Sequence, residues 1–541
     1  MKQKFVLLLV ALGLTMLMTA CGFSDSDEAN GEDDNKVLNL SLKNDIPDLN
    51  QVLTTDAISF DILNNIMEGL YRIDENNDPQ PAMAEDVDIS DDKLTYTFHL
   101  RDDIKWSNGE PITANDFEYS WLRAMHPDTS GSYADILSDY IVGGEEYYEG
   151  EVDESEVAID AKDDQTLEVE LKEPTPYFLG LTAFATYFPL NEDFIDEVGD
   201  DGFALDEDSI LYNGPFVMTD YDQAQGVKLE KNDEYWDKDK VNLDEVNLDV
   251  IKEDSTGLNL YESGDLDRVY LSSEDVDSFE DDDEFGTETE FNSWYLLFNF
   301  EEEPFDNLNI RKAFQMGYDP EKLTDTILRN GSEPAYGLVA KGVEGVNDQT
   351  FREIAGDLTG PDFDKAKEYL EKGIDEIGGE LPDIELLTAD DTIAEDTATF
   401  LQSEFEENLD VEVDITTKPY SGRLDAMRED DYQMGISKWG SDYNDAMDIL
   451  DLWDGYPETE GLRGNFFRED YKQNIDDALE EKDEEVRLDY LIDAEKILLE
   501  DEAGLGPLYF EGQAFLEKDY VKNIIVHPYG ASLELKEADV E

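Results

Sequence analysis

Cysteine, histidine and basic side chains are scarce in this sequence. A single cysteine, Cys21, rules out any disulfide within the chain. The three histidines, His99, His126 and His527, are scattered without zinc spacing, so a zinc hydrolase or a histidine-based triad is poorly supported. Lysine and arginine number 39 against 138 aspartate and glutamate residues, which gives a formal charge of -99. An excess of this size repels nucleic acids and anionic membrane surfaces, so we expect no nucleic-acid partner.

Motifs for catalysis and cofactor binding are also missing. The chain has no Gly-x-x-x-x-Gly-Lys-[Ser/Thr] loop for nucleotide phosphates, no Gly-x-Ser-x-Gly elbow and no EF-hand loop for calcium. These absences favour a protein that is not an enzyme and uses no cofactor or metal. One catalytic alternative stays open, a secreted hydrolase with paired carboxylates, because an acidic chain supplies such pairs by chance.

The residues that are present indicate a folded protein with an acidic surface. Hydrophobic residues make up 40% and aromatic residues 11% of the 541 positions, which is enough for real cores. This length favours two or three domains. Self-repulsion at such a charge destabilises a compact chain unless salt screens it. We therefore interpret the composition as the surface of a halophilic protein.

The N-terminus has the pattern of an exported, anchored protein. Residues 5–20 form an apolar run that is too short for a confident membrane span and follows two lysines, as in a signal peptide. The end of this run, "LMTACG", resembles the lipobox of bacterial lipoproteins. That resemblance implies a signal peptide at 1–20, cleavage before Cys21 and a lipid on its thiol. Residues 21–36 then form an acidic tether, and the protein lies on the extracytoplasmic face of the cell membrane.

The two halves of the chain have different patterns. In the first half, Tyr96, Phe98 and Leu100 alternate with polar residues as in a half-buried strand, and a capping box beginning at Thr113 predicts a helix. Similar strand patterns recur between turns, which predicts a mixed α+β region built on antiparallel sheet. After about residue 310, strands and helices alternate, which predicts a parallel, doubly wound α/β domain.

Asp442 differs from the other acidic residues in its position. The strand pattern "YQMGIS" is followed, after Lys438, by "WGSDYND", in which Trp439 and Tyr443 lie on either side of Asp442. Open α/β sheets bind ligands beyond the carboxyl ends of their strands. We therefore expect Asp442 at a ligand-facing edge.

Several segments occur together in a characteristic order. They are the lipobox, "TYTFHLRDDIKWSNGEPITANDFEYSW", "PTPYF", "NGPFVMTDY", "LEKNDEYWDKDKV", "FDNLNIRKAF" and "WGSDYNDAMDILDLW". From about Val37 to the end, the chain resembles the oligopeptide-binding lipoproteins of ABC importers, in the peptide and nickel class (family 5) of extracellular solute-binding proteins. The resemblance implies a monomeric, non-catalytic receptor that captures oligopeptides outside the cell and delivers them to an ABC transporter permease.

The resemblance also implies an α/β, two-lobed periplasmic-binding-protein-like fold (type II, three-domain peptide-binding variety). One lobe combines domain I with an inserted domain II, domain III forms the other lobe, and the ligand cleft lies between them. The expected ranges are 37–67, 190–293 and 511–541 for domain I, 68–189 for domain II, and 294–510 for domain III. Hinge closure of the lobes encloses the ligand.

Ligand-binding residues follow from the resemblance position by position. Asp442 matches the aspartate that binds the α-ammonium group of a peptide. Trp439, Gly440 and the segment around Ala57 match strand edges beside the peptide backbone. Further candidates for the cleft are Tyr133, Tyr295, Asn299, Tyr443 and Tyr509.

The group that binds the peptide carboxylate stays open. Some relatives carry basic residues at the two positions that are Met427 and Ile436 here, and Arg423 and Arg428 are nearby. The main alternative keeps the fold and changes the ligand to a nickel chelate, haem or a small saccharide. A receptor that senses signalling peptides without importing them is a further alternative.

Overall fold

Short strands and helices alternate along the described part of the chain, which is residues 35–541 except 130, 132 and 456–460 of a computed structural model. The predicted signal peptide and Cys21 lie outside the described residues. The strands are β1 (Val37–Leu42), β2 (Tyr71–Ile73), β3 (Pro79–Pro81), β4 (Ala84–Ile89), β5 (Thr95–Leu100), β6 (Ile159–Asp163), β7 (Thr166–Glu170), β8 (Phe216–Asp222), β9 (Gly226–Lys231), β10 (Glu245–Val250), β11 (Arg268–Tyr270), β12 (Phe285–Phe298), β13 (Glu333–Pro334), β14 (Ile384–Ala389), β15 (Val413–Lys418), β16 (Met434–Gly440), β17 (Leu505–Glu517), β18 (Val521–Lys522), β19 (Ile525–Val526), β20 (Leu533–Glu534) and β21 (Asp539–Val540).

Helices lie in about half of the segments between these strands. They are α1 (Ala57–Ile66), α2 (Ala114–Ala124), α3 (Asp135–Ser138), α4 (Gly144–Tyr148), α5 (Phe178–Leu181), α6 (Glu192–Val198), α7 (Asp254–Ser263), α8 (Ser273–Phe279), α9 (Leu308–Gln315), α10 (Pro320–Leu323), α11 (Phe351–Ala355), α12 (Phe363–Ile377), α13 (Thr392–Leu409), α14 (Tyr420–Arg428), α15 (Met447–Leu450), α16 (Glu469–Glu480) and α17 (Glu484–Lys496). Within the described ranges, no helix is both long and apolar enough to cross a lipid bilayer.

Local signals in the sequence account for several of these elements. The predicted capping box is present at the start of α2, where Thr113 and Asp116 satisfy each other's backbone amides. The alternation of Tyr96, Phe98 and Leu100 is confirmed, because all three are buried in β5. Helix α12 ends at Gly378, whose φ of 117° lies in the left-handed region that favours glycine.

The first half of the chain forms two four-stranded sheets, as predicted from the antiparallel pattern. One has the order β4-β5-β7-β6 and is wholly antiparallel. The other has the order β1-β10-β9-β8, and its only parallel pair is β1 with β10.

The strands of the second half of the chain belong to a seven-stranded sheet. Its order is β11-β17-β12-β16-β14-β15, and β13 pairs with β17. The predicted parallel arrangement is confirmed for β15, β14 and β16. It is wrong for the rest, because β12 is antiparallel to both β16 and β17. Strand β12 starts before the predicted α/β region, whereas β17 starts near the expected end of domain III, so their pairing joins segments that are distant in sequence.

The same two strands pass through the predicted domain boundaries. The boundary between residues 293 and 294 falls within β12, and that between 510 and 511 falls within β17. Side chains from β12 enter separate cores on the two faces of the sheet. Tyr295 and Leu297 pack into one core, whereas Trp294 and Leu296 pack into the other. This sheet therefore positions the residues described next.

Candidate functional site

Strand β16 has one edge that is only partly paired. Backbone bonds at both ends of the β12–β16 ladder, Asn299 N to Gln433 O (2.9 Å) and Ser441 N to Phe291 O (3.3 Å), show which residues of β16 point toward β12. The main-chain N–H and C=O groups of the odd-numbered residues of β16 point toward β12. The same groups of the even-numbered residues therefore point to the opposite edge of the strand.

On that opposite edge, β14 pairs with β16 only at Met434 and Gly435. The main-chain groups of Lys438 and Gly440 therefore face an edge with no paired strand among the described residues. An extended chain can add there as a further strand, bonded through main-chain groups alone.

Asp442 lies immediately beyond the open edge of β16. Its Oδ1 accepts a hydrogen bond from the Tyr133 hydroxyl at 3.2 Å, which links residues more than 300 positions apart. Asp448 holds this loop, because its Oδ1 accepts the Asp442 amide at 3.1 Å and its Oδ2 accepts the Trp439 indole N–H at 3.0 Å. The structure thus brings together Tyr133, Trp439, Gly440 and Asp442 from the predicted set.

The two carboxylates share an environment that disfavours negative charge. Burial raises the pKa of Asp442 to about 7, the Tyr133 hydroxyl opposes that rise, and Asp135 adds to it. Burial and the neighbouring Asp442 raise the pKa of Asp448 well above its usual value. Within the described residues, no lysine or arginine nitrogen lies within 4.0 Å of either carboxylate. A cationic group on a ligand would therefore supply the missing partner.

A small cavity is lined in part by Asp442. Its volume is about 30 Å³, and Phe184, His527, Tyr529 and Gly530 also line it. A space of this size holds a water molecule or an ammonium group but no larger side chain. It therefore suits the charged end of a ligand.

Aromatic rings surround the site. Tyr133 packs against Phe60 and Phe184, with ring centroids 5.6 and 5.5 Å apart. Tyr443 stacks on Tyr177 with centroids 4.3 Å apart and an interplanar angle of 15°. Tyr443, which was predicted to line the cleft, therefore connects two distant segments of the chain.

The remaining predicted residues lie away from the open edge. Tyr295 and Tyr509 are 0% and 1% exposed, in the two cores on opposite faces of the seven-stranded sheet. Asn299 follows the far end of β12, where its side-chain amide donates to Tyr432 O at 3.0 Å. Ala57 is the first residue of α1, so the extended residue there is the preceding Asp56.

The sequence analysis did not single out two residues of this site. Tyr177 lies in the "PTPYF" segment, so a signal for it was present in the sequence. Asp448 is one acid among many in a short helical segment, and only the fold shows that it holds both Trp439 and Asp442.

Known proteins that are similar to this chain identify its family. Residues 78–460 match the bacterial extracellular solute-binding proteins, family 5 Middle. The chain belongs to this family. The family 5 protein described here is 35% identical to the dipeptide-binding protein DppE of Bacillus subtilis over 540 residues, which cover 98% of each chain. It is 33% identical to the oligopeptide-binding protein OppA of Bacillus subtilis over 541 residues, or 97% of each chain.

Solved structures of similar proteins share the fold. The peptide-bound OppA of Listeria monocytogenes is 36% identical, and the match has a TM-score of 0.79 and covers 94% of this chain and 99% of that one. The pheromone receptor PrgZ is 31% identical with the same TM-score, and the match covers 94% and 100% of the two chains. The predicted two-lobed, peptide-binding variety of the α/β fold is thereby confirmed.

Proposed function

We propose that this solute-binding protein captures oligopeptides through the open edge of β16 and delivers them to the permease of an ABC importer. One combination supports this most strongly: among the described residues, no strand pairs with the main-chain edge at Lys438 and Gly440, and no cationic side chain pairs with the carboxylate of Asp442 at its end. A peptide can match both features, because its extended backbone pairs with the strand edge and its terminal ammonium group binds the carboxylate. Saccharides and haem offer neither.

The alternation of main-chain groups along β16 gives the peptide a direction and a register. With its ammonium group at Asp442, an antiparallel peptide places residue 1 opposite Gly440 and residue 3 opposite Lys438. Both residues then form main-chain hydrogen bonds with β16, whereas residue 2 lies opposite Trp439. Because main-chain groups are common to all peptides, affinity depends little on sequence.

The three-domain division remains part of this proposal. With domain II at 68–189 and domain III at 294–510, the Tyr133–Asp442 hydrogen bond and the Tyr177–Tyr443 stack both join these two domains. The strands β12 and β17 then connect domains I and III, and bending of these strands opens the cleft.

Co-purifying ligands test the proposed function directly. We expect mass spectrometry of small molecules released by denaturing the purified protein to find peptides of varied sequence with free amino termini. Added peptides should be recovered intact, since the protein is not an enzyme, and deletion of the permease should abolish their uptake. Recovery of haem, a saccharide or a nickel chelate, or of cleaved peptides, would contradict the proposal.

Anchoring through Cys21 is a separate part of the proposal and has its own test. The mature wild-type protein is expected to begin at a lipidated Cys21 and to sediment with membranes. The Cys21→Ser variant should stay unprocessed or be released while keeping its peptide affinity, because Cys21 precedes the folded unit that begins at Lys36. Intact-mass analysis showing an unmodified Cys21 in membrane-purified protein would refute anchoring and leave peptide binding untouched.

A further inference from the structure

His527 has a buried ring nitrogen that lacks a hydrogen-bond partner. The residue directly follows β19 and is 3% exposed. Its Nδ1 lies 3.1 Å from Asn77 Oδ1, which can only accept, so Nδ1 carries the proton and Nε2 is left as an acceptor. Within the described residues, nothing donates to this Nε2. A buried acceptor without a donor is unfavourable, and a donor from outside the chain would offset that penalty.

The ring of His527 is uncharged at neutral pH. Burial lowers its pKa below the ordinary value for histidine, Glu534 and Asp74 oppose this change, and Arg72 adds to it. The neutral imidazole has one N–H group, which binds Asn77, and one free lone pair, on Nε2. His527 can therefore accept a hydrogen bond from a cation without repelling it.

His527 lines the same small cavity as Asp442. Phe184 also lines this cavity and packs against Tyr133, the donor to Asp442, so the cavity lies beside the Tyr133–Asp442 pair. The other polar side chains around it have partners within the chain: Asn64 bonds to Leu533 O, Tyr529 to Asn77 O and Glu534 to Arg72. The cavity thus has two acceptors with capacity for a further donor, the Asp442 carboxylate and His527 Nε2.

A main-chain contact fixes the segment after His527 against the loop that carries Asp442. Gly530 N donates to Ser441 O at 3.0 Å. A β-carbon at Gly530 would lie only 3.2 Å from Asp442 O, and its φ of 61° favours glycine. The two acceptors therefore belong to segments that are held in close contact.

We propose that His527 is a second acceptor for the peptide ammonium group, which donates one N–H to the Asp442 carboxylate and another to His527 Nε2. This inference rests on the proposed function, because it requires the peptide to begin at Asp442. An ammonium group has three N–H donors and can bind both acceptors at once. The carboxylate supplies the counter-charge, and the imidazole adds a second direction from which the group is recognised.

The test compares tri-alanine with N-acetyl-tri-alanine by calorimetry. His527→Asn places its side-chain amide near the position of Nδ1, so it keeps a donor for Asn77 and removes the acceptor. The preference for the free amine should fall about tenfold in this variant, as a hydrogen bond from a charged donor implies. His527→Gln places an amide oxygen near the position of Nε2 and should restore most of that preference.

His99→Asn is the matched control. His99 lies in β5, where its side chain is 39% exposed and its Nε2 lies 3.0 Å from Asp88 Oδ2. This variant should keep the wild-type preference for the free amine. If His527 only supported the fold, its replacement would weaken both peptides alike, and the preference would not change.

Nitrogen-15 NMR of the histidine rings provides a measurement on the wild-type protein. The chain has three histidines, so His99→Asn and His126→Asn assign the signals of His527 by elimination. The Nε2 signal of His527 should shift when free tri-alanine saturates the protein, because an unprotonated ring nitrogen responds to a new hydrogen bond. Saturation with the acetylated peptide should leave it nearly unchanged.

The outcomes separate this inference from the proposed function. If no peptide binds wild type, the proposed function fails. If peptides bind but His527→Asn keeps the wild-type preference for the free amine, or if free tri-alanine leaves the Nε2 signal unmoved, only the role of His527 fails. The NMR measurement decides the matter even if neither variant of His527 folds.

Discussion

Replacement of Asp442 with asparagine is expected to weaken the binding of peptides with a free amino terminus by about ten- to a hundredfold. The change keeps the shape of the side chain and removes its charge. The loss follows from a charge-assisted hydrogen bond in a water-poor site, which contributes about 1.5–3 kcal/mol. The loss of affinity is measured by calorimetry with one peptide, once with a free amino terminus and once N-acetylated. The acetylated peptide should bind wild type poorly and lose little more in the variant.

Asp135→Asn is the appropriate control for this experiment. Asp135 is exposed, and its charge acts on Asp442 without a hydrogen bond between the two side chains. We expect less than about a threefold change, because exposed charges are screened. Asp445 and Asp448 are unsuitable controls, since Asp445 is paired with Arg487 and Asp448 holds the Asp442 amide. Equal losses for free and acetylated peptides would show that Asp442 is not the ammonium site.

The pH dependence provides a second readout of the same group. Because the pKa of Asp442 is about 7, the affinity of wild type for free-amine peptides should fall as the pH drops through that value. Asp442→Asn should show no such fall. The effect of Asp442 on folding stability has the opposite sign. Above pH 7 the buried Asp442 is ionised and lowers the free energy of unfolding, so Asp442→Asn should be more stable than wild type there. The difference in stability between Asp442→Asn and wild type should vanish below about pH 4, where the Asp442 carboxyl is protonated in both the folded and the unfolded state.

Removal of salt is expected to lower the unfolding midpoint steeply. With a net charge of -99, repulsion is largest in the compact state and weakens when ions screen it. The Debye length falls from about 10 Å at 0.1 M to about 3 Å at 1 M, so most of the stabilisation should appear within this range. The unfolding midpoint is measured by circular dichroism during heating, in sodium chloride and in potassium chloride.

Two controls identify the cause of this stabilisation. Sodium and potassium should act alike, because screening depends on ionic strength, whereas a protein with dedicated calcium sites would respond to millimolar calcium. An uncharged osmolyte such as sucrose should have a smaller effect than the salts. A midpoint that stays constant from low to molar salt would refute the screening account.

The part of the site that follows from local sequence was predictable. The end of a strand before "WGSDYND" placed Asp442 at a sheet edge, although β16 continues through Trp439 and Gly440, beyond the predicted end. The resemblance added Tyr133, which the structure places on Asp442. Contacts within a few residues, such as the capping box of α2, leave regular patterns in the sequence and were also predicted.

Long-range pairing was not predictable from the same patterns. The antiparallel partnership of β12 and β16 joins residues about 140 positions apart, and nothing in either strand specifies the other. For the same reason Tyr295 and Tyr509, whose strands suggested the cleft, proved to be fully buried core residues.

The stack of Tyr177 on Tyr443 has a consequence for how affinity can be adjusted. These rings, and the nearby Tyr140 hydroxyl 3.3 Å from that of Tyr443, lie outside the open edge of β16. In the proposed three-domain division these rings join domains II and III, so they contribute the same free energy to closure of the cleft whichever peptide is bound. The dissociation constant of every peptide is therefore scaled by one common factor, the fraction of molecules able to close. A substitution at Tyr177 is therefore expected to change the dissociation constant of every peptide by the same factor and to leave the ranking of ligands unchanged.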